Sequence, residues 1–344
     1  MSKLYTQTML VLLSATSILC ADEPKTLSEK PTEAEQRVKQ CLEWLPPDTE
    51  TIIAAQGPFL IPAKDPNPEK PTLTELGEFW AFEPLRAVRK GKVLKALEGQ
   101  TLLLSLEGAR HFRSPRGLGL CPYDGCQILI FDDKFSDVGN KLMISLRADV
   151  DRTHEHGQQD LLAFDETREK DRWTIFIARP RPNVLLCGTD RQFVTTVMNL
   201  MESPKRRPDA PKFTNLPEWR HVDTKARFWA IRHFDPGNAS NDPTTPLTTQ
   251  SRAANNPDPQ AIGLTYSFDP TKEPQTAIVK YLTTNPDRER MLKSVWYREK
   301  GGRNPMVTHD GTNATEMRFP VRNGQVGDEF ILQLLMVLGH AIYI

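Results

Sequence analysis

The stretch RWTIFIARPRPNVLLCGTDRQFVTTVMNLM, residues 172–201, contains two apolar runs followed by an amphipathic run. The runs RWTIFIA and PNVLLCG are rich in Ile, Leu and Phe and are separated by turn residues, which predicts two strands. Asp190 then stands at the N-cap position before RQFVTTVMNLM, where apolar residues recur at helical spacing. The stretch therefore predicts strands followed by a helix whose Phe and Met stripe packs into a core.

Similar patterns continue on both sides of this stretch. Further strands are predicted at 49–56, 102–108, 127–132, 141–148, 225–234, 262–268, 276–282 and 316–321, and helices at 33–45, 84–98, 287–296 and 328–339. Because most strands follow one another in sequence and helices come between or after them, the pattern predicts an α+β fold. We expect two halves of mixed content, each a largely antiparallel sheet with packed helices.

The domain organisation follows from breaks in these patterns. A signal peptide is expected at 1–21 and a flexible N-terminal segment at 22–32. The first α+β domain would span 33–203, a proline-rich linker 204–217, and the second α+β domain 218–344. Within the second domain, residues 235–260 are polar and proline-bearing, which predicts a flexible loop.

The N-terminus predicts export. Lys3 precedes the apolar run MLVLLSATSIL, which is short for a membrane span, and small residues follow it. Cleavage after Ala21 would leave Leu19 and Ala21 at the recognised positions, giving a periplasmic or extracellular protein. A lipid anchor at Cys20 and an uncleaved anchor are the alternatives. No transmembrane span is expected in the mature chain.

Charge and cysteine content limit the possible partners. The formal net charge is zero, so no global field would attract nucleic acid. In an oxidising compartment the cysteines could pair, and the turn residues of CPYDGC could bring Cys121 and Cys126 within disulfide distance. The spacing of this pair does not match the two-residue spacing of redox motifs.

Two histidines in THEHGQQD, residues 153–160, are the candidate metal ligands. On a strand His154 and His156 would point to the same face, where they could bind a divalent metal such as zinc. A site needs at least one more ligand, which the local sequence does not fix. The alternative interpretation is a solvated loop between two strands. No cofactor is otherwise predicted.

Aromatic and basic residues alternate in PEWRHVDTKARFWAIRHF, residues 217–234. Trp219, Trp229 and Arg232 are of types that are enriched at recognition hot spots, so they form a candidate binding surface. The alternative is that the aromatic side chains belong to the core of a sheet.

The stretches WLPPDTETIIAAQGPF (44–59), PEWRHVDTKARFWAIRHF and LLMVLGHAIYI (334–344) resemble a group of uncharacterised exported bacterial proteins. The resemblance implies a secreted or envelope α+β protein and transfers no catalytic residues. The leading hypothesis is a non-enzymatic binding or structural module, with another envelope protein as its partner. The alternative is a metal-dependent hydrolase that uses the region of His154 and His156.

Overall fold

A computed structural model describes residues 31–61, 88–110, 125–157, 159–168, 171–203, 213–233, 261–287, 306–309 and 313–321. The chain divides into two compact units, Met1–Glu33 and Ala34–Ile344. The sheet described below belongs to the second unit. The predicted signal peptide, the predicted loop at 235–260 and the predicted helix at 328–339 lie outside the described residues, as does the predicted helix at 287–296 apart from its first residue.

The fold contains α-helices and a sheet, which confirms the predicted α+β content, although the sheet dominates. The α-helices among the described residues are α1 (Glu33–Trp44), α2 (Lys92–Ala96), α3 (Phe135–Asp149) and α4 (Arg191–Glu202). The described residues also contain the 3-10 helices η1 (Val88–Gly91), η2 (Phe213–Asn215) and η3 (Pro217–His221). Within the described residues, no helix is both long enough and apolar enough to cross a membrane.

In the part of the chain that the structure describes, twelve strands form one sheet in the order β11-β12-β10-β9-β8-β1-β2-β3-β7-β6-β5-β4. Their bounds are β1 (Thr51–Leu60), β2 (Thr101–Ala109), β3 (Gly125–Phe131), β4 (Arg152–His156), β5 (Gln159–Arg168), β6 (Asp171–Arg181), β7 (Val184–Gly188), β8 (Phe228–His233), β9 (Ala261–Phe268), β10 (Thr276–Thr283), β11 (Met306–His309) and β12 (Ala314–Pro320). Neighbouring strands are antiparallel throughout.

The order separates the strands by their position in the chain. Strands β1 to β7 occupy one side of the sheet and β8 to β12 the other, and the two groups meet where β1 pairs with β8. At this junction Ala54 is opposite Trp229 and Ile52 is opposite Ile231. The sheet is therefore continuous across the predicted linker, and the two-domain division stays a prediction.

Each face of the sheet buries an apolar layer, because side chains alternate along every strand. On β8, Phe228 and Ala230 belong to one layer, together with residues of α2 and α3. Trp229 and Ile231 belong to the other layer, with residues of α1 and α4. The helices thus cover both faces of the sheet.

The predicted helix after Asp190 is confirmed as α4. The Asp190 carboxylate accepts a hydrogen bond from the backbone N–H of Phe193, so the N-cap works as the sequence indicates. The apolar face of α4 is buried through Phe193, Val194, Val197, Met198 and Met201. The stripe of Phe and Met residues is therefore core, as predicted.

The strand predicted at 141–148 is wrong, because these residues lie in α3. The buried residues of α3 are Phe135, Gly139, Leu142, Met143 and Leu146, which recur every three or four positions. Ile144 is 66% exposed, as a helix requires for a residue on the opposite face. The apolar content of KLMISLRA suggested a strand. The helical spacing of the buried residues is visible only when the residues before Lys141 are included.

The described part of the helix predicted at 84–98 is interrupted. Gly91 has φ 81° and separates η1 from α2. A left-handed residue interrupts a right-handed helix, and glycine adopts this conformation readily. The regular helix therefore does not continue through Gly91. Gly99, predicted as the helix stop, has φ 77° shortly after the end of α2.

Candidate functional site

The two candidate metal ligands lie on an edge strand and not in a loop. His154 and His156 are in β4, which pairs with β5 through a tight turn at Gly157, where φ is 61°. Both side chains lie on the face that α4 covers. His156 Nε2 lies 2.9 Å from Asn199 Oδ1, and the His154 ring lies 6.2 Å from the Phe176 ring. Both imidazole rings therefore contribute contacts between β4 and neighbouring elements.

The surroundings of His154 do not favour a cation. Burial and the positive charges of Arg191 and Arg152 lower the pKa of His154. A neutral imidazole can ligate a metal, but the same arginines would repel the metal ion. Across the described ranges, no group of three or more His, Cys, Asp or Glu side chains is arranged to hold a metal.

We expect His156→Ala to lower the free energy of unfolding by about 1 kcal/mol, because it removes the hydrogen bond between β4 and α4. Asn199→Ala should have a similar effect, and the double variant should be little worse than either single one. The measurement is urea unfolding followed by circular dichroism. Glu155→Ala, on the exposed face of the same strand, is the control and should change stability by less than about 0.5 kcal/mol.

The predicted binding surface of Trp219, Trp229 and Arg232 does not form as a unit. Trp229 is 1% exposed and packs edge-on against Trp219, with ring centroids 6.0 Å apart. Arg232 is three positions from Trp229 on the same strand, so its side chain lies on the opposite face. Trp229 is wrong as a surface residue, because the sheet and η3 enclose it.

The described thiols are structural. Cys41, Cys126 and Cys187 are buried, and burial raises the pKa of all three. A buried thiol with a raised pKa carries little thiolate, so it is a poor nucleophile. Cys121 lies outside the described residues, and its bridge to Cys126 stays a prediction.

A carboxylate and an imidazole meet where η3 packs on the end of β8. Pro217 begins η3, and Glu218 follows in its first turn. The Glu218 side chain is 0% exposed, and its Oε1 lies 2.8 Å from His233 Nδ1. The two side chains therefore share a hydrogen bond between these atoms. The imidazole itself is 24% exposed, at the last residue of β8.

Gly263 of β9 makes room for this pair. It is the register partner of His233, and a Cβ on Gly263 would overlap Glu218 Oε1 and lie 2.5 Å from Cγ. The carboxylate therefore rests directly on the β9 backbone. Its second oxygen, Oε2, is buried with no hydrogen-bond partner among the described residues. We define Glu218, His233 and Gly263 as the η3–β8 site.

Sequence reasoning missed the η3–β8 site. Glu218 and His233 both lie within 217–234, but the aromatic and arginine residues of that stretch gave the stronger pattern. One available signal was Gly263 inside IGLTYSF, because an isolated glycine in a strand indicates close approach of another group. A second signal was the alternation of Trp229, Ile231 and His233 along the strand, which places His233 on the same face of the sheet as Trp229.

Comparisons with known proteins identify no family. No protein-family model matches the chain, and no curated protein matches it. A solved structure titled "Structure of crystal form I of TP0453" aligns with 86% of this chain and 96% of that chain, at 8% sequence identity and a TM-score of 0.45.

Proposed function

We propose that the protein is an exported binding or structural module of the bacterial envelope, with another envelope protein as its partner. The apolar run after Lys3 and the small residues at 20–21 support export. The partner is expected to meet the folded sheet in the periplasm or outside the cell. The mature chain is expected to begin at Asp22.

The observation that carries this proposal is how the fold uses the side chains that could do chemistry. His156 joins β4 to Asn199 of α4, and His154 packs beside Phe176. Trp229 fills the core, and the described thiols are buried. These residues stabilise a large sheet and the helices packed on it, as expected of a structural module.

A two-part organisation fits the same proposal. The strands of 33–203 and those of 218–344 occupy separate sides of one sheet and meet at the β1–β8 ladder. We propose that each half is a largely antiparallel unit with its own helices. Such a scaffold presents a broad surface to a partner while the central ladder holds the halves in register.

Export is tested by expressing the full chain in a bacterium and measuring the intact mass of the protein in each cell fraction. We expect a mass for residues 22–344 in the envelope or periplasmic fraction. Ala21→Tyr is the matched control, because a large residue at the cleavage position should leave the leader attached. Full-length protein found only in the cytoplasm would contradict the proposal.

The binding role is tested in the same cells by chemical crosslinking before lysis. We expect the exported chain to form a discrete crosslinked species with an envelope protein. A chain that lacks residues 1–21 is the control, since it stays in the cytoplasm and should not form that species. An exported chain that crosslinks to no envelope protein would contradict the binding role but not export.

A further inference from the structure

We propose that the β1–β8 ladder is a joint that opens ahead of the rest of the sheet, and that Gln56 is the latch that holds it closed. This inference concerns a movement within the fold, so it does not depend on the proposed export or binding role. It rests on the side-chain Nε2 of Gln56, which donates to the carbonyls of Thr224 at 2.8 Å and Ala226 at 2.7 Å. Gln56 belongs to β1, whereas Thr224 and Ala226 precede β8, so both bonds cross between the two groups of strands.

The latch lies where the ladder between β1 and β8 ends. Register pairing stops at Ala55 and Phe228, although β1 continues beyond Ala55. The pairing of β1 with β2 is also irregular between Gln56 and Phe59. One more backbone bond, from Gln56 N–H to the carbonyl of Arg227 at 2.7 Å, follows the last register pair. Side-chain hydrogen bonds therefore replace the ladder at this end of the junction.

A buried primary amide suits this position. Gln56 is 8% exposed, and its side-chain NH2 group, which carries two donors, meets two backbone carbonyls. Ala226 is 1% exposed, so loss of the amide would take a donor from a buried carbonyl. Water can hydrate that carbonyl once the junction opens. Removing the amide therefore destabilises the closed junction relative to the open one.

The turn that Gln56 holds is fixed to the other side of the sheet by its first residue. Asp223 donates its backbone N–H to Ser267 Oγ of β9 at 3.1 Å, and its carboxylate lies 3.0 Å from Lys272 Nζ. The turn closes through a hydrogen bond from Ala226 N–H to the carbonyl of Asp223. When the junction opens, we therefore expect the turn to stay with β9 and to separate from Gln56.

The backbone bonds of β8 supply residue-level reporters of the opening. His233 N–H donates to the carbonyl of Glu50 at 2.8 Å, so it points toward β1. Along a strand between two antiparallel neighbours the N–H groups alternate in direction, so those of Trp229 and Ile231 also point toward β1. The N–H of Ala230 points toward β9. Opening of the β1–β8 ladder should therefore expose the Trp229 and Ile231 amides and leave that of Ala230 bonded.

The test is native-state hydrogen exchange of the wild type and of Gln56→Met, measured amide by amide by NMR. Methionine keeps the length of the side chain but has no donor. The Trp229 and Ile231 amides should exchange about 10- to 100-fold faster, the ratio expected for loss of one or two hydrogen bonds that hold the junction closed. The Ala230 amide should change by less than about threefold, because β8 stays paired with β9.

Gln159→Met is the matched control. Gln159 Nε2 donates to the carbonyl of Pro180 at 3.1 Å, which joins β5 to β6 and does not involve the junction. This variant should leave the Trp229 and Ile231 amides at their wild-type exchange rates. Wild-type rates at these two amides in Gln56→Met would overturn the latch. An equal acceleration at Ala230 and throughout β3 would mean that the sheet opens only as a whole, which would overturn the joint.

A second measurement needs no variant. In wild-type protein at low urea concentrations, exchange of Trp229 and Ile231 should depend on urea less steeply than exchange of the most protected β3 amides. Local opening exposes little surface, whereas β3 lies inside the sheet and exchanges through unfolding of its neighbours. Equally steep urea dependence at both places would overturn the joint, even if Gln56→Met did not fold.

Discussion

Replacing Trp229 with alanine is expected to lower the free energy of unfolding by about 3–5 kcal/mol, the cost of truncating a large buried aromatic side chain. Trp229 is 1% exposed and lies in the apolar layer that α1 and α4 cover. Its ring also packs edge-on against Trp219. Urea unfolding followed by tryptophan fluorescence and by circular dichroism measures the loss.

Two further variants separate packing from other effects. Trp229→Phe should lower the free energy of unfolding much less than Trp229→Ala. The indole Nε1 has no hydrogen-bond partner among the described residues, so its loss removes an unpaired buried polar group. Trp219→Ala should also cost less, because Trp219 is only partly buried at the rim of the layer. If Trp229→Ala left stability unchanged, the ring would not be in the core.

The strands and the helix after Asp190 could be predicted because their signals are local. Alternating or continuous apolar runs indicate strands, and an N-cap residue before a 3.6-residue period indicates a helix. α4 satisfies both helix criteria and was predicted correctly. α3 was missed because its central residues are rich in Leu, Ile and Met, and its period becomes clear only from Phe135 onward.

The η3–β8 site could not be predicted in the same way, because strand pairing creates it. Glu218 and His233 are 15 positions apart. Gly263 joins them only through the β8–β9 register, which places it opposite His233. A shift of that register by one residue would direct a different β9 side chain at Glu218. Nothing local to residues 217–233 determines the register, since β9 begins only at Ala261.

The candidate metal pair shows a related limit. Its two-residue spacing correctly indicated that His154 and His156 share a face on a strand. The sequence could not show that this face is covered by α4, where Asn199 lies 2.9 Å from His156. The spacing therefore predicted the direction of the side chains, whereas their surroundings depend on helix packing.

The second large effect is expected from Gly263→Ala, which should lower the free energy of unfolding by about 2–3 kcal/mol. In an ordinary strand this change would be stabilising by roughly 0.5–1 kcal/mol, because glycine loses more conformational entropy on folding. Here the new Cβ would overlap Glu218 Oε1 and lie 2.5 Å from Cγ and 2.6 Å from Cδ. The buried carboxylate would have to move away from His233, which breaks its hydrogen bond.

A double-variant cycle with Glu218→Ala isolates this contact. Once the carboxylate is absent, Gly263→Ala has no Glu218 side chain to displace, so its cost should fall by about 1–2 kcal/mol. Urea unfolding of the wild type, both single variants and the double variant gives the coupling energy. Strictly additive costs would mean that Glu218 does not rest on β9. Coupling would instead show that Gly263 leaves space for the carboxylate, because the alanine side chain then destabilises the fold more when Glu218 is present than when it is absent.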